Sequence, residues 1–165
     1  MTLAAFNQLT PTEADALIRP AADIDRWVEA VVSARPYSNV EEVLSAARER
    51  ALDWTDEDID AALAHHPRIG DRPSGSSTEA GMSRGEQAGV DAGDAALAAE
   101  LHAGNRAYEE RFGRVFLIRA AGRGGREILD ELNRRLDNTD EDEIREVAEQ
   151  LREIALLRLE GILRA

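Results

Sequence analysis

The chain has 165 residues, carries 20 Lys and Arg against 33 Asp and Glu for a net charge of −13, and contains no cysteine. That length suits one domain with a real core, and the missing thiols exclude a disulfide scaffold, a cysteine nucleophile and any metal site built on sulfur. The negative charge argues against a nucleic-acid partner without a local basic patch, and equally against docking on an anionic membrane.

In chain order, Thr10-Pro11-Thr12-Glu13 joins a cap residue, a first-turn proline and a Glu at capping-box spacing. Ile24, Trp27, Val28, Val31 and Val32 follow the helical template, so residues 22–34 are expected to form an amphipathic helix closed by Arg35-Pro36. Ser38-Asn39-Val40-Glu41 reads as a second capping box, before a helix that turns Val40, Val43, Leu44 and Ala47 inward. Thr55-Asp56-Glu57-Asp58 opens a third helix, with Ile59, Ala62 and Leu63 on its apolar face. Residues 70–81 are rich in Gly, Ser and Pro and are expected to form a long loop, a common place for a lid or binding loop. A long Ala-rich helix is expected over 84–111, with Leu97, Leu101, Ala107 and Tyr108 as inward candidates. Residues 115–118 are β-prone but lack a partner strand, so they read as extended backbone threaded through a helical domain. Residues 137–146 are acidic and look like an exposed helix start. Behind them Ile144, Val147, Ala148, Leu151, Ile154, Ala155, Leu159 and Ile162 make one stripe over about five turns. The fold class is therefore all-α, a single-domain bundle of about seven to nine helices with a short extended segment near 115–119. No apolar run approaches the ~20 residues that span a bilayer. The first residues carry no secretory signal and the last no peroxisomal one, so the expectation is a soluble, cytoplasmic protein.

Three positions do not suit a plain bundle. His66 lies at i+7 from Ile59 and i+3 from Leu63, on the face that should be buried, and Pro67 makes it the expected helix end. An imidazole there could satisfy the last helical carbonyls, or could move a proton beside the loop. Arg158 falls on the apolar stripe of the last helix, where a guanidinium is costly unless it meets an anion. That anion is either a carboxylate of the protein or one of a substrate, which Arg grips in a two-pronged geometry. Ser83-Arg84-Gly85-Glu86-Gln87 reads first as a capping box, and second as an anion site at a helix N-terminus. Gly122-Arg123-Gly124-Gly125-Arg126 matches no phosphate loop and reads as a turn into the helix of Glu127-Ile128-Leu129. His65 lies about 100° round a helix from His66, so the two do not chelate a metal together. His102 reads as a surface residue.

Taken together, His66-Pro67-Arg68-Ile69-Gly70, Ser83-x-x-Glu86-Gln87, Asn105-x-x-Tyr108-Glu109-x-x-Phe112-Gly113-x-x-Phe116, Gly122-Arg123 and Leu157-Arg158-Leu159 resemble the 2-oxo-4-hydroxy-4-carboxy-5-ureidoimidazoline (OHCU) decarboxylase family. The likeness reaches back to Phe6-Asn7, Trp27 and Arg35-Pro36-Tyr37 and so runs through nearly the whole chain. It implies an all-helical fold, usually a homodimer, that uses neither metal nor organic cofactor. It implies an enzyme of urate breakdown that makes (S)-allantoin. By the same resemblance His66 is the catalytic acid/base and Glu86 its partner at the substrate hydroxyl. Pro67, Ser83, Arg84, Gly85 and Gln87 line the site with Phe116, Leu117, Ile118, Arg119 and Ala120, and Arg158 faces the anionic ureidoimidazoline. Arg119 departs from the small or thiol residue that the family tends to carry, at a place where its members contact substrate largely through backbone. Two other readings compete. One is a catalytically inactive acidic helical binding module on the same fold; the other is a metal-dependent hydrolase.

Overall fold

The computed structural model describes residues 1–71, 75–90 and 93–165. Nine α-helices and two 3-10 turns occur among the described residues, and no strand does, so the all-α expectation is met. The helices are α1 (Leu3–Gln8), α2 (Pro11–Ile18), α3 (Asp25–Ser33), α4 (Val40–Ala51), α5 (Asp56–Leu63), α6 (Thr78–Glu86), α7 (Ala95–Phe112), α8 (Gly125–Arg135) and α9 (Asp140–Arg164). The 3-10 turns cover Arg19–Ala21 and Gln87–Gly89. The chain resolves into two compact units, Met1–Ala62 with Leu151–Ala165, and Leu63–Gln150.

In the first unit Thr10 caps α2 as expected, with the Glu13 carboxylate returned to the Thr10 N–H at 2.9 Å. The next cap sits one residue later than the sequence suggests. Asn39 Oδ1 accepts the Glu42 N–H at 2.8 Å, and the Glu42 carboxylate reaches back to the Ser38 N–H, because asparagine holds the cap geometry as well as serine does. Helix α3 begins at Asp25, not at residue 22; Ala22 and Ile24 are extended and buried ahead of it. The Asn7 side chain and the Tyr37 backbone exchange two hydrogen bonds, at 2.8 and 3.0 Å. Arg35 donates to the carbonyls of Phe6, Leu9 and Val32, so these distant motif residues are one cluster that fixes the ends of α1 and α3.

The second unit departs further from expectation. Residues 70–81 are not one long loop: Ser77 Oγ accepts the Ala80 N–H at 3.1 Å and starts α6 at Thr78. Gly81 and Gly85 weaken helix propensity and hid this element from a periodicity reading. Residues 72–74 of the expected loop, and residues 91–92 of the expected 84–111 helix, lie outside the described residues. The long helix itself starts only at Ala95, capped by Asp94 Oδ1 accepting the Leu97 N–H at 2.9 Å. Leu97, Leu101 and Tyr108 are buried, whereas Ala107 is exposed because it falls on the far side of α7.

The polar centre of this unit is an ion pair in its core. Arg135 is 1% and Glu143 0% exposed. Arg135 donates Nε and Nη2 to Glu143 Oε1 at 2.9 and 2.5 Å and Nη1 to the Leu117 carbonyl at 2.7 Å. Its guanidinium lies 4.7 Å from the centre of the Phe116 ring. Tyr108 donates its hydroxyl to the same carboxylate, and Asn138 Nδ2 donates to Glu143 Oε2 at 2.9 Å. Burial, reinforced by that bond to Glu143, pushes the Tyr108 phenol well above its ordinary pKa and keeps it a donor. The acidic start of α9 is thus exposed apart from Glu143, which the sequence alone would place with its neighbours in water.

Removing one member of a buried pair strands the other without water. Arg135→Ala should therefore lower folding stability by about 3–5 kcal/mol, read as a shift of the urea midpoint. A loss below about 1 kcal/mol would match an ordinary surface pair and contradict this account.

Candidate functional site

Helix α5 ends at Leu63, three residues before the position expected from Pro67. His66 lies just past that end, half-buried, with its N–H donated to the Leu63 carbonyl at 3.0 Å. The chain then turns sharply: the Asp71 N–H reaches the Arg68 carbonyl at 3.1 Å, and Gly70 takes φ +90°, which a side-chain-bearing residue rarely adopts.

This loop is tied down by side chains distant in sequence. Asn105 of α7, 3% exposed, donates Nδ2 to the Ile69 carbonyl at 2.9 Å. One turn further along α7, Glu109 receives Arg68 in a two-pronged pair at 2.5 and 2.8 Å. That bond to Arg68 holds the Glu109 carboxyl below the usual carboxylate range. The spacing Asn105-x-x-Tyr108-Glu109 thereby acquires a mechanical meaning. Asn105 and Glu109 grip the loop that follows His66, while Tyr108 turns to the core.

The third tie is Gln87, whose Oε1 accepts the Gly70 N–H at 3.0 Å. Glu86, half-buried, is the last residue of α6, so this bond brings the end of α6 to the loop after His66. It also fixes the amide orientation. With its oxygen accepting the Gly70 N–H, Gln87 has its Nε2 hydrogens left as donors.

Ser83 is not a helix cap. It lies within α6, 4% exposed, and the cap is Ser77. The anion site expected at Ser83 as a helix N-terminus is therefore absent. Arg84 is exposed and donates Nη1 to the Gly75 carbonyl at 3.1 Å, and Gly85 is exposed beside it.

Beyond Gln87 the 3-10 turn meets the Gly122-Arg123 turn. A Cβ on Gly89 would stand 2.6 Å from the Arg123 carbonyl oxygen. The Arg123 N–H in turn donates to the Ala120 carbonyl at 3.0 Å. The segment 115–120 is non-helical and strandless as expected. Phe116, Ile118 and Ala120 alternate into the core that also holds Ile69, and Leu117 is buried too. Arg119 is half-buried, and its Nη1 folds back onto the Ala121 carbonyl at 2.6 Å. The apolar side chains of this segment are therefore spent on packing.

His66, Pro67, residues 83–87 and residues 116–120 thus belong to one unit and are linked through the turn at Gln87–Gly89. Arg158 belongs to the other unit, where it is 7% exposed and donates Nη1 to the Pro20 carbonyl at 3.2 Å. The sequence reading missed the roles of Asn105, Gln87 Oε1, Arg135 and Gln150 as anchors of loop backbone. Only Asn105 and Glu109, one helical turn apart on α7, carried a signal. A surface cleft of about 450 Å³, lined by Arg68, His102, Asn105, Arg106, Glu109 and Glu110, contains none of the expected site residues. Among the described residues no group of three or more His, Asp or Glu is placed to hold a metal ion, and no helix is long and apolar enough to cross a membrane.

The profile of the OHCU decarboxylase family matches residues 7–160. A 2-oxo-4-hydroxy-4-carboxy-5-ureidoimidazoline decarboxylase of Haloferax volcanii is 30% identical over 81% of this chain and 79% of its own length. The enzyme of the same name from Amia calva is 32% identical over 81% of this chain and 78% of its own. A uric acid degradation bifunctional protein of a Bacillus species is 24% identical along 99% of this chain, which spans only 32% of that longer protein. Two solved structures share the fold. One, an OHCU decarboxylase crystallised in the presence of (S)-allantoin, superposes at a TM-score of 0.74 with 24% identity over 92% of this chain and 99% of its own. The other, an (S)-allantoin synthase, superposes at 0.71 with 16% identity over 99% of this chain and 54% of its own. The chain belongs to the OHCU decarboxylase family.

Because the Arg123 carbonyl is backbone and cannot swing aside, Gly89→Ala must displace one turn against the other. Its expected cost is about 1–3 kcal/mol, the range for overpacking, measured by thermal melting. An unchanged melting temperature would mean the two turns are not in firm contact.

Proposed function

We propose that this family member removes the carboxylate of 2-oxo-4-hydroxy-4-carboxy-5-ureidoimidazoline to give (S)-allantoin and carbon dioxide. The observation that carries the reading is the family match over residues 7–160 with the motif residues His66, Glu86 and Gln87 all in place. The bond between the ring carbon and its carboxylate breaks, carbon dioxide leaves, and the bonding pair passes to the neighbouring ring imine. The substrate is thus its own electron sink, so the chemistry asks for no added one. The protein has to orient the carboxylate, manage the hydroxyl proton and deliver one proton to a single face of the resulting enol.

In this reading His66 and Glu86 hold the hydroxyl and move its proton, and His66 is the acid/base. Gln87, with its oxygen tied to the Gly70 N–H, presents N–H donors to a carbonyl or carboxylate oxygen of the substrate. Pro67 and the 83–87 stretch wall the site, and the backbone of 116–120 pairs with the ureido group, which carries donors and acceptors alike. Delivery of the last proton to one face accounts for a single allantoin enantiomer. The family resemblance adds Arg158 as the group that binds an anionic edge of the substrate. It also adds a homodimer.

The test adds the protein to freshly generated urate-oxidation products and follows the circular dichroism of allantoin. Rapid appearance of the (S) signal supports the reading, and a rate equal to the spontaneous one means an inactive module on the same fold. A positioned acid/base is worth ~10²- to 10⁴-fold, so His66→Ala with unchanged folding should lose that much activity. Wild-type turnover by that variant would remove His66 from the mechanism. Arg158→Lys keeps the charge but not the planar fork, and should weaken substrate affinity by about tenfold or more. A wild-type KM would remove Arg158 from the substrate's contacts.

A further inference from the structure

We propose that Gln150, which no part of the decarboxylase reading uses, is a positioning residue that aligns the backbone of residues 116–120 for substrate. In an extended chain the N–H and C=O of one residue share an edge, and the edge alternates with each residue. On one edge of this segment two groups are gripped by side chains. Arg135 donates to the Leu117 carbonyl at 2.7 Å, and Gln150 Oε1 accepts the Arg119 N–H at 2.9 Å. The opposite edge carries the N–H and C=O of Ile118, which have no hydrogen-bond partner among the described residues although Ile118 is 3% exposed.

The two anchors differ in what they do. Arg135 is locked in the core by Glu143 and is needed for folding. Gln150 is half-buried on α9, and the Arg119 N–H is the one hydrogen-bond partner of its side chain among the described residues. Its contribution is the rotation of the 118–119 peptide about the segment axis. That rotation decides whether the free Ile118 edge meets the substrate squarely. A neighbouring strand would ordinarily set it, and this helical unit has none.

This inference rests on the decarboxylase reading, and its test separates the two. Gln150→Leu removes the acceptor at similar size, whereas Gln150→Glu keeps an acceptor oxygen. With OHCU as substrate, Gln150→Leu should raise KM by about tenfold, the scale of one lost hydrogen bond, with kcat much less affected. Its melting temperature should match the wild type, and Gln150→Glu should restore KM to within about threefold, on the same reasoning. A wild-type KM in Gln150→Leu, a KM change that accompanies lost thermal stability, or failure of Gln150→Glu to rescue would each overturn the proposal. Those outcomes presuppose an active wild type. A wild type without OHCU turnover overturns the decarboxylase reading itself, and the positioning role with it.

Discussion

The second unit depends on a charge pair sealed from water. Two ions are costly to bury, and that cost is offset only when the geometry is good and the remaining donors and acceptors are also met. Here Glu143 receives Arg135, Tyr108 and Asn138, and the third arm of Arg135 goes to the Leu117 carbonyl. The pair therefore joins α7, α8 and α9 to the helix-free stretch of residues 115–120. A Leu or Met at 135 could fill the space but could not donate to a carbonyl inside the core. An orphaned carbonyl there would cost on the order of 1–3 kcal/mol.

A helical unit that holds untied backbone groups in a fixed direction faces a difficulty that sheet proteins avoid. A helix spends its N–H and C=O groups on itself, so only a helix-free stretch can offer them. That stretch must still be held straight and at a fixed rotation. Packing alone does part of this, through the alternation of Phe116, Ile118 and Ala120 into the core. Polar side chains from the surrounding helices do the rest, acting as the missing neighbour strand.

Much of the fold was legible because its elements announce themselves. The stripes of α3 and α9, the Thr10 capping box and the strandless 115–118 run all follow from spacing, and the structure reproduces them. The errors share a cause. Helix α6 carries two glycines and few apolar residues, so its start at Ser77 had no periodic signal, and Ser83 was read as the cap in its place. Glu143 sat in an acidic run whose other members are solvated, and nothing local distinguishes the one that meets Arg135. Among the candidate residues, His66 and Arg158 stood out because polar residues on apolar faces need a reason. The anchoring roles of Gln87, Asn105 and Gln150 did not, because a neutral amide fits equally well in water. Their roles appear only when the backbone groups they serve are known.

Those amides point to how the site is built. The expected chemistry lies at breaks between helices: His66 after α5, Glu86 and Gln87 at the end of α6, and 116–120 after α7. Each break frees backbone groups that a continuous helix would have used, and each must be fixed within a few tenths of an ångström to be of use in catalysis. Several of the freed groups have side-chain partners. The Ile69 carbonyl, the Gly70 N–H, the Leu117 carbonyl and the Arg119 N–H are taken by Asn105, Gln87, Arg135 and Gln150. The Ile118 groups are left. A side chain that ties one backbone group thereby aims its untied neighbour, since the two are coupled through a planar peptide. The same residues that satisfy the breaks therefore set the direction of the groups left untied. In this fold, closing the hydrogen-bond ledger of the loops and fixing the direction of their untied groups are one physical requirement.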